Sequence, residues 1–219
     1  MINPTALQHA SGTTYEDLVR DFRWRVPGAM NMGAVCSDVH PVDAPALIIV
    51  DGRGDSRTAT FGDLAQMSNR LANGLASLGV ERGDRVGIVV PQSLETGIAH
   101  LGIYKLGAVA LPLAALFGPD ALAFRLGDSG AKVVITTPSG LEKVVEAVEI
   151  AGTDAQIVVT GGGARGFVAF DDLLRASPSF TSVETASEDP AFLIYTSGTT
   201  GQPKGALHAH RNLIGHLPG

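Results

Sequence analysis

The stretch "RVGIVVPQSLETGIAHLGIYKLGAVALPL", Arg85 to Leu113, decides the fold. Its two ends, Val86 to Val90 and Val109 to Leu113, are apolar without the alternation of a strand that has one wet face, so they suit strands covered on both sides. Between them Ser93 offers a capping hydroxyl, helical spacing follows, and Gly107 closes the segment. Strand, helix and strand in this order make a βαβ crossover, which is right-handed and places its strands parallel.

The same rhythm continues downstream. Apolar runs recur at Val133 to Thr136 and Ile157 to Thr160. The segments between are "GPDALAFRLGDSG", with Pro119 in the first turn, and "SGLEKVVEAVEIAG", with Ser139 as the expected cap. The fold class is therefore α/β, a mainly parallel sheet with βαβ crossovers. Upstream, "PALIIVDGRGDSRTATF" reads as a hairpin turning at Asp51 to Asp55. Thr60 caps a helix running to about Leu78, with Leu64, Ser68, Leu71, Leu75 and Leu78 on one face and Gly79 at its C-terminal end. Near the amino end Thr13 and Glu16 open another helix, with Tyr15, Leu18, Val19 and Phe22 as its apolar face. After Phe170 the pattern weakens into "ASPSFTSVETASEDP", polar and acidic. The expected organisation is an α/β unit over 1–176, a linker over 177–190, and the start of a further unit over 191–219.

Composition excludes several classes. With 45% hydrophobic and 17% charged residues the 219-residue chain has ample material for a core. A formal charge of −6 without a Lys/Arg cluster argues against nucleic acid as a partner. The longest apolar run, Leu106 to Phe117, is too short to span a bilayer and contains Pro112, so membrane insertion is not expected. Cys36 is the only cysteine, which excludes an internal disulfide and suits a cytoplasmic protein; in "GAVCSDV" it reads as a small core residue. The amino terminus lacks the basic and apolar regions of a secretory signal.

Two glycine-rich loops compete as phosphate sites. In "VVTGGGARG", Gly161, Gly163 and Gly166 satisfy G-x-G-x-x-G after a strand, but no convincing helix or later acidic strand end follows, so a surface turn is the expected outcome. In "TSGTTGQPKG", Thr196 to Gly205, the chemistry is more coherent. Gly198, Gly201 and Gly205 allow tight turns that converge amide N–H groups on an anion. Thr196, Ser197, Thr199 and Thr200 add hydroxyls that can donate to phosphate oxygens or ligate magnesium, and Lys204 adds a positive charge beside the stiff Pro203. The order of a Walker A loop is absent, and "GALHAH" reads as extended, so this loop should join two strands. His208, His210 and His216 have spacing that suggests a metal site, but no carboxylate or cysteine accompanies them.

The stretch "YTSGTTGQPKGALHAHRN" resembles the signature phosphate loop of the adenylate-forming superfamily, with "ATFGDLAQMSNRLANGL" and "YKLGAVALPL" as weaker features in the right order. "FRWRVP" and "HAHRNL" resemble the branch of acyl-CoA synthetases. The resemblance implies an AMP-forming ligase that uses ATP, magnesium and CoA to convert a carboxylic acid into acyl-AMP and then a thioester. By position it assigns Thr196, Ser197, Gly198, Thr199, Thr200, Gly201 and Lys204 to the ATP phosphates, Thr200 to the magnesium ion, and His210 to the vicinity of the acyl pocket. The superfamily's catalytic lysine and adenine pocket have no counterpart in these residues. The chain is therefore expected to be an amino-terminal fragment, inactive alone. An adenylation domain that loads a carrier protein, or a P-loop type nucleotide-binding module, are the alternative readings.

Overall fold

A computed structural model describes residues 14–50, 52–197 and 201–216. Two short helices, α1 (Tyr15–Asp21) and α2 (Met32–Ser37), lead into the hairpin β1 (Pro45–Val50) and β2 (Ser56–Thr60) and then the long α3 (Phe61–Ser77). The body alternates: β3 (Arg85–Val89), α4 (Leu94–Lys105), β4 (Val109–Pro112), α5 (Pro119–Ser129), β5 (Val133–Thr136), α6 (Leu141–Ala151), β6 (Gln156–Val159). It closes with β7 (Val168–Ala169), α7 (Phe170–Leu173), β8 (Pro190–Thr196), β9 (Lys204–Ala209) and α8 (Asn212–His216). Seven strands form one sheet in the order β7-β6-β5-β3-β4-β8-β9, parallel except for the antiparallel β8–β9 pair.

Why the central strands are apolar throughout is visible in the core. Val86, Ile88, Val133, Ile135 and Val158 face α3, α4 and α7, whereas Val89, Val134, Ile157 and Val159 face α5 and α6. Successive side chains point to opposite faces, so a strand with a helix layer on each side has no wet position to leave polar. In α3, Leu64, Ser68, Leu71 and Leu75 are buried as the spacing predicts, and Thr60 and Asp63 form a reciprocal capping box. Ser93 caps α4 by accepting from the Thr96 amide.

The expected Thr13 cap lies outside the described residues; Thr14 Oγ1 accepts from the Asp17 amide. Two expectations change. On the α1 face Tyr15 and Val19 are 76% and 62% exposed rather than buried. Periodicity reports that a helix is amphipathic, not what it rests on. The chain enters α6 through a one-turn 3₁₀ segment at Pro138–Gly140 that Thr137 caps, so Ser139 is not the N-cap. Pro138 fits a first-turn position, and this moves the start upstream.

The polar stretch 177–190 is irregular backbone held at many points. Asn69 and Asn73 donate to the carbonyls of Pro178 and of Ser177 and Ser179. The Val183 amide donates to Lys105 O, and Thr185 exchanges bonds with Met30. Residues with no apolar periodicity are thus fixed largely by satisfying backbone groups, with Phe180 adding an apolar contact to the core.

Candidate functional site

The parallel strands end together, at Val89, Pro112, Thr136 and Val159, and β8 joins this set through Ala110 and Phe192. The Thr196 to Lys204 turn therefore lies at the carboxyl edge of the sheet, the edge at which open α/β sheets bind ligands. As expected, the turn joins two strands, with Thr196 opposite Lys204 and Tyr195 opposite Gly205. Gly198, Thr199 and Thr200 lie outside the described residues. Of the others, Thr196, Ser197, Gly201 and Lys204 are exposed at the mouth of the hairpin, and Lys204 forms no ion pair among the described residues.

Paired residues on antiparallel strands share a face, so Thr196 and Lys204 point one way and Tyr195 the other. Gly201 has φ of +102°, which only glycine adopts freely. Gly205 has another reason to be glycine. It lies within β9, and a Cβ there would stand 3.0 Å from Leu193 Cδ1 and 3.3 Å from Tyr195 Cζ. Its expected role in a tight turn gives way to making room for the tyrosine ring.

On the far side of that ring lies α5. Tyr195 donates its hydroxyl proton to Asp128 Oδ2, meets Phe124 edge-on at 6.2 Å, and lies 5.7 Å from the Arg125 guanidinium carbon. Burial, then the Asp128 charge, push the phenol well above its usual range, so it stays protonated at neutral pH. Sequence reasoning missed Tyr195, Arg125 and Asp128. Their link is tertiary, and the only local hint was a tyrosine directly before the loop.

A pocket of about 310 Å³ opens at the same edge, between the ends of β3 and β4 and the first turns of α4. Its wall is apolar, with Val90, Pro91 and Leu113, and its polar groups include Thr96 and His100. Thr96 Oγ1 is committed to Pro91 O at 2.7 Å. His100 Nδ1 lies 3.0 Å from the Tyr104 hydroxyl, and burial lowers the imidazole pKa, which favours its neutral form.

The structure does not bring His210 to the loop. The residue follows the other end of β9, six positions and about 20 Å from Lys204 at the rise of an extended strand. It is fully enclosed; Nδ1 accepts from the Met32 amide at 3.0 Å and the ring stands edge-on to Tyr104. His208 stacks on Phe192 at 4.6 Å and its Nδ1 is 3.0 Å from Asn212 Nδ2. Among the described residues no cluster of three His, Cys, Asp or Glu side chains could hold a metal. The Gly161 to Gly166 loop is a turn between β6 and β7, with positive φ at Gly161, Gly162, Gly163 and Gly166 and only the four-residue α7 after it. No helix terminus stands behind it to receive a pyrophosphate.

Comparison with known proteins turns this geometry into a family assignment. The model of the AMP-binding enzyme family matches residues 35–217, which includes the whole parallel sheet and the glycine-rich turn. The chain belongs to the AMP-binding enzyme family. It is 34% identical over 219 residues to an acetyl-coenzyme A synthetase from Stutzerimonas stutzeri, covering 90% of this chain and 34% of that protein. The crystal structure of Brucella canis acyl-CoA synthetase superposes with a TM-score of 0.82 at 29% identity, over 92% of this chain and 39% of that one. An anthranilate CoA ligase, AuaEII, solved in complex with anthranoyl-AMP, superposes with a TM-score of 0.76 at 30% identity, over 85% and 36% of the two chains. The chain thus spans about a third of the length of the relatives it matches. Among its described residues no helix is long and apolar enough to cross a membrane.

Proposed function

We propose that the chain is the amino-terminal part of an AMP-forming acyl-CoA synthetase. A carboxylate oxygen attacks the α-phosphorus of ATP, the bond to the pyrophosphate oxygen breaks, and the sulfur of CoA then displaces AMP from the acyl carbon. The relatives' names supply the acid and thiol classes. The observation that carries the reading is the exposed Thr196 and Lys204 pair at the carboxyl edge, with a positive charge that no carboxylate of the described residues neutralises.

The chemistry demands such a loop. Carboxylate and nucleotide are both anions, and charge accumulates on the departing β,γ-phosphates as the bond to the α-phosphorus breaks. Donors fixed in advance stabilise that charge without reorganising water. Lys204 would hold a terminal phosphate oxygen, and the Thr196 and Ser197 hydroxyls would donate to neighbouring ones. Gly198, Thr199, Thr200 and Gly201 join them by their place in the sequence. The hydroxyl-rich loop fits a magnesium ion carried in on the nucleotide, with Thr200 as its proposed neighbour; when bound, that ion neutralises phosphate charge. His210, which the resemblance assigns to the vicinity of the acyl pocket, takes no part in holding the phosphates; it is enclosed, with Nδ1 accepting from the Met32 amide and Nε2 buried without a partner among the described residues.

The test is isotope exchange between ATP and pyrophosphate by the full-length protein, run with a panel of short, medium-chain and aromatic acids. Acid-dependent exchange followed by thioester formation with CoA is expected. Exchange with transfer only to a carrier-protein thiol would favour the adenylation-domain reading, and absence of exchange with every acid would refute the proposal. The 219-residue chain alone is expected to show no exchange.

A further inference from the structure

Arg125 is a buried cation with little to hold it. It is 8% exposed, and Nη1 donates to Ala121 O at 2.6 Å. The Nε atom is buried without a hydrogen-bond partner, and no carboxylate among the described residues pairs with the guanidinium. Its remaining contacts are aromatic: the guanidinium carbon lies 4.3 Å from the centroid of Phe117 and 5.7 Å from that of Tyr195. Enclosing a charge and leaving a donor unpaired is costly, and a methionine would fill the same space without that cost. A packing role alone does not account for arginine here.

Tyr195 shows what the arginine holds. The residue directly precedes Thr196 and Ser197 on one leg of the turn, while its ring rests on Gly205, directly after Lys204 on the other. One ring therefore touches both legs at their base. Its hydroxyl is tied to Asp128 on the same helix that carries Arg125. That helix begins at Pro119, just beyond the carboxyl end of β4, and is packed on the sheet through Leu122 and Leu126.

We infer that Arg125, Tyr195 and Asp128 form a bracket that sets the spacing of Thr196 and Lys204, with Arg125 and Asp128 acting as positioning residues for the ATP phosphates through the Tyr195 ring. The inference rests on the proposed function, since it concerns the same loop. At 5.7 Å the guanidinium carbon is within cation–π reach of the Tyr195 ring, and lysine, with a compact ammonium in place of the planar fork, would not reproduce its contacts with Tyr195 and Phe117. Displacing fixed donors by a fraction of an ångström weakens the contacts they make without altering the fold.

The experiment is ATP–pyrophosphate exchange by the full-length protein carrying Arg125→Met, Arg125→Lys, Asp128→Ala or Tyr195→Phe, with Lys204→Ala as reference. KM for ATP should rise about fivefold to tenfold in both Arg125 variants and about twofold to threefold in the other two, with KM for the acid unchanged. A purely structural residue would move both KM values and kcat together, in step with loss of thermal stability, and that result would overturn the bracket. So would a folded Arg125→Met protein whose KM for ATP stays within twofold of the parent. Should Arg125→Met fail to fold, the exposed Asp128 decides: an unchanged KM for ATP in Asp128→Ala, which removes the acceptor for the Tyr195 hydroxyl, would overturn the inference. If Lys204→Ala itself changes nothing, the reading of the loop has failed; if Lys204→Ala is impaired and the bracket variants are not, only the bracket has.

Discussion

Lys204 stands directly opposite Thr196 at the mouth of the β8–β9 hairpin, on the face away from Tyr195. The pair is exposed, so its side chains contribute little to folding. Lys204→Ala should leave the melting temperature within about 1 °C while lowering the rate of acyl-adenylate formation about 10²-fold, the scale of losing one fixed donor at a developing charge. Lys204→Arg should recover part of that rate. Circular dichroism melts and pyrophosphate exchange together check both halves.

Gly205 makes a different prediction. A methyl group there meets Leu193 Cδ1 at 3.0 Å and the Tyr195 ring at 3.3 Å, and the ring is already held by Phe124 and Asp128. Gly205→Ala should therefore cost about 1–3 kcal/mol, the usual range for overpacking. Trimming the obstruction should restore room: Gly205→Ala combined with Tyr195→Leu is expected to be less than additive. A urea-unfolding double-mutant cycle reads the coupling directly.

What the sequence disclosed and what it concealed divide by the range of the interaction. Caps such as Thr60 and Ser93, and strands such as Val133 to Thr136, are local patterns or follow from two-sided cover, and both were legible. The hydroxyl-rich turn was legible because its residue types converge on one chemistry within ten positions. The cost of a Cβ at Gly205 depends on a ring ten residues away, and the surroundings of Arg125 on a strand 70 residues later; neither leaves a local trace. The enclosure of His210 was not legible either, because its Nδ1 accepts from the amide of Met32, 178 residues earlier, and such a contact leaves no local trace.

Lys105 tests the frame behind the site. Its side chain is fully enclosed, with Nζ 2.5 Å from Asp38 Oδ1 and 2.7 Å from Asn69 Oδ1, and this joins α4 to α3 and to the residue that follows α2. Burial lowers the lysine pKa, and Asp38 works against that shift. Removing the two partners should not be equivalent. Asp38→Ala strands an ammonium in the interior and should cost about 3–5 kcal/mol, whereas Lys105→Met leaves a carboxylate that still reaches water and should cost less. Equal losses in chemical unfolding would contradict this account.

His210 makes the fold sensitive to acid. Burial pushes its pKa from 6.5 down to about 4, with the Asp189 charge opposing the shift and the Arg82 charge adding to it. The folded state thus keeps the ring neutral, and its Nδ1 lone pair remains bonded to the Met32 amide. In the unfolded chain the ring takes up a proton below about pH 6.5, so the unfolded state binds more protons between pH 6.5 and 4, and stability falls with pH across that window. At pH 5 the loss relative to pH 7.5 should be about 2 kcal/mol from this group. His100, also lowered by burial, adds a slope of the same sign. His210→Asn, whose carbonyl can accept from the Met32 amide, should therefore flatten the profile without abolishing it. Unfolding free energies measured in urea at pH 7.5, 6 and 5 for both proteins decide the point: parallel curves would show that His210 does not carry the dependence.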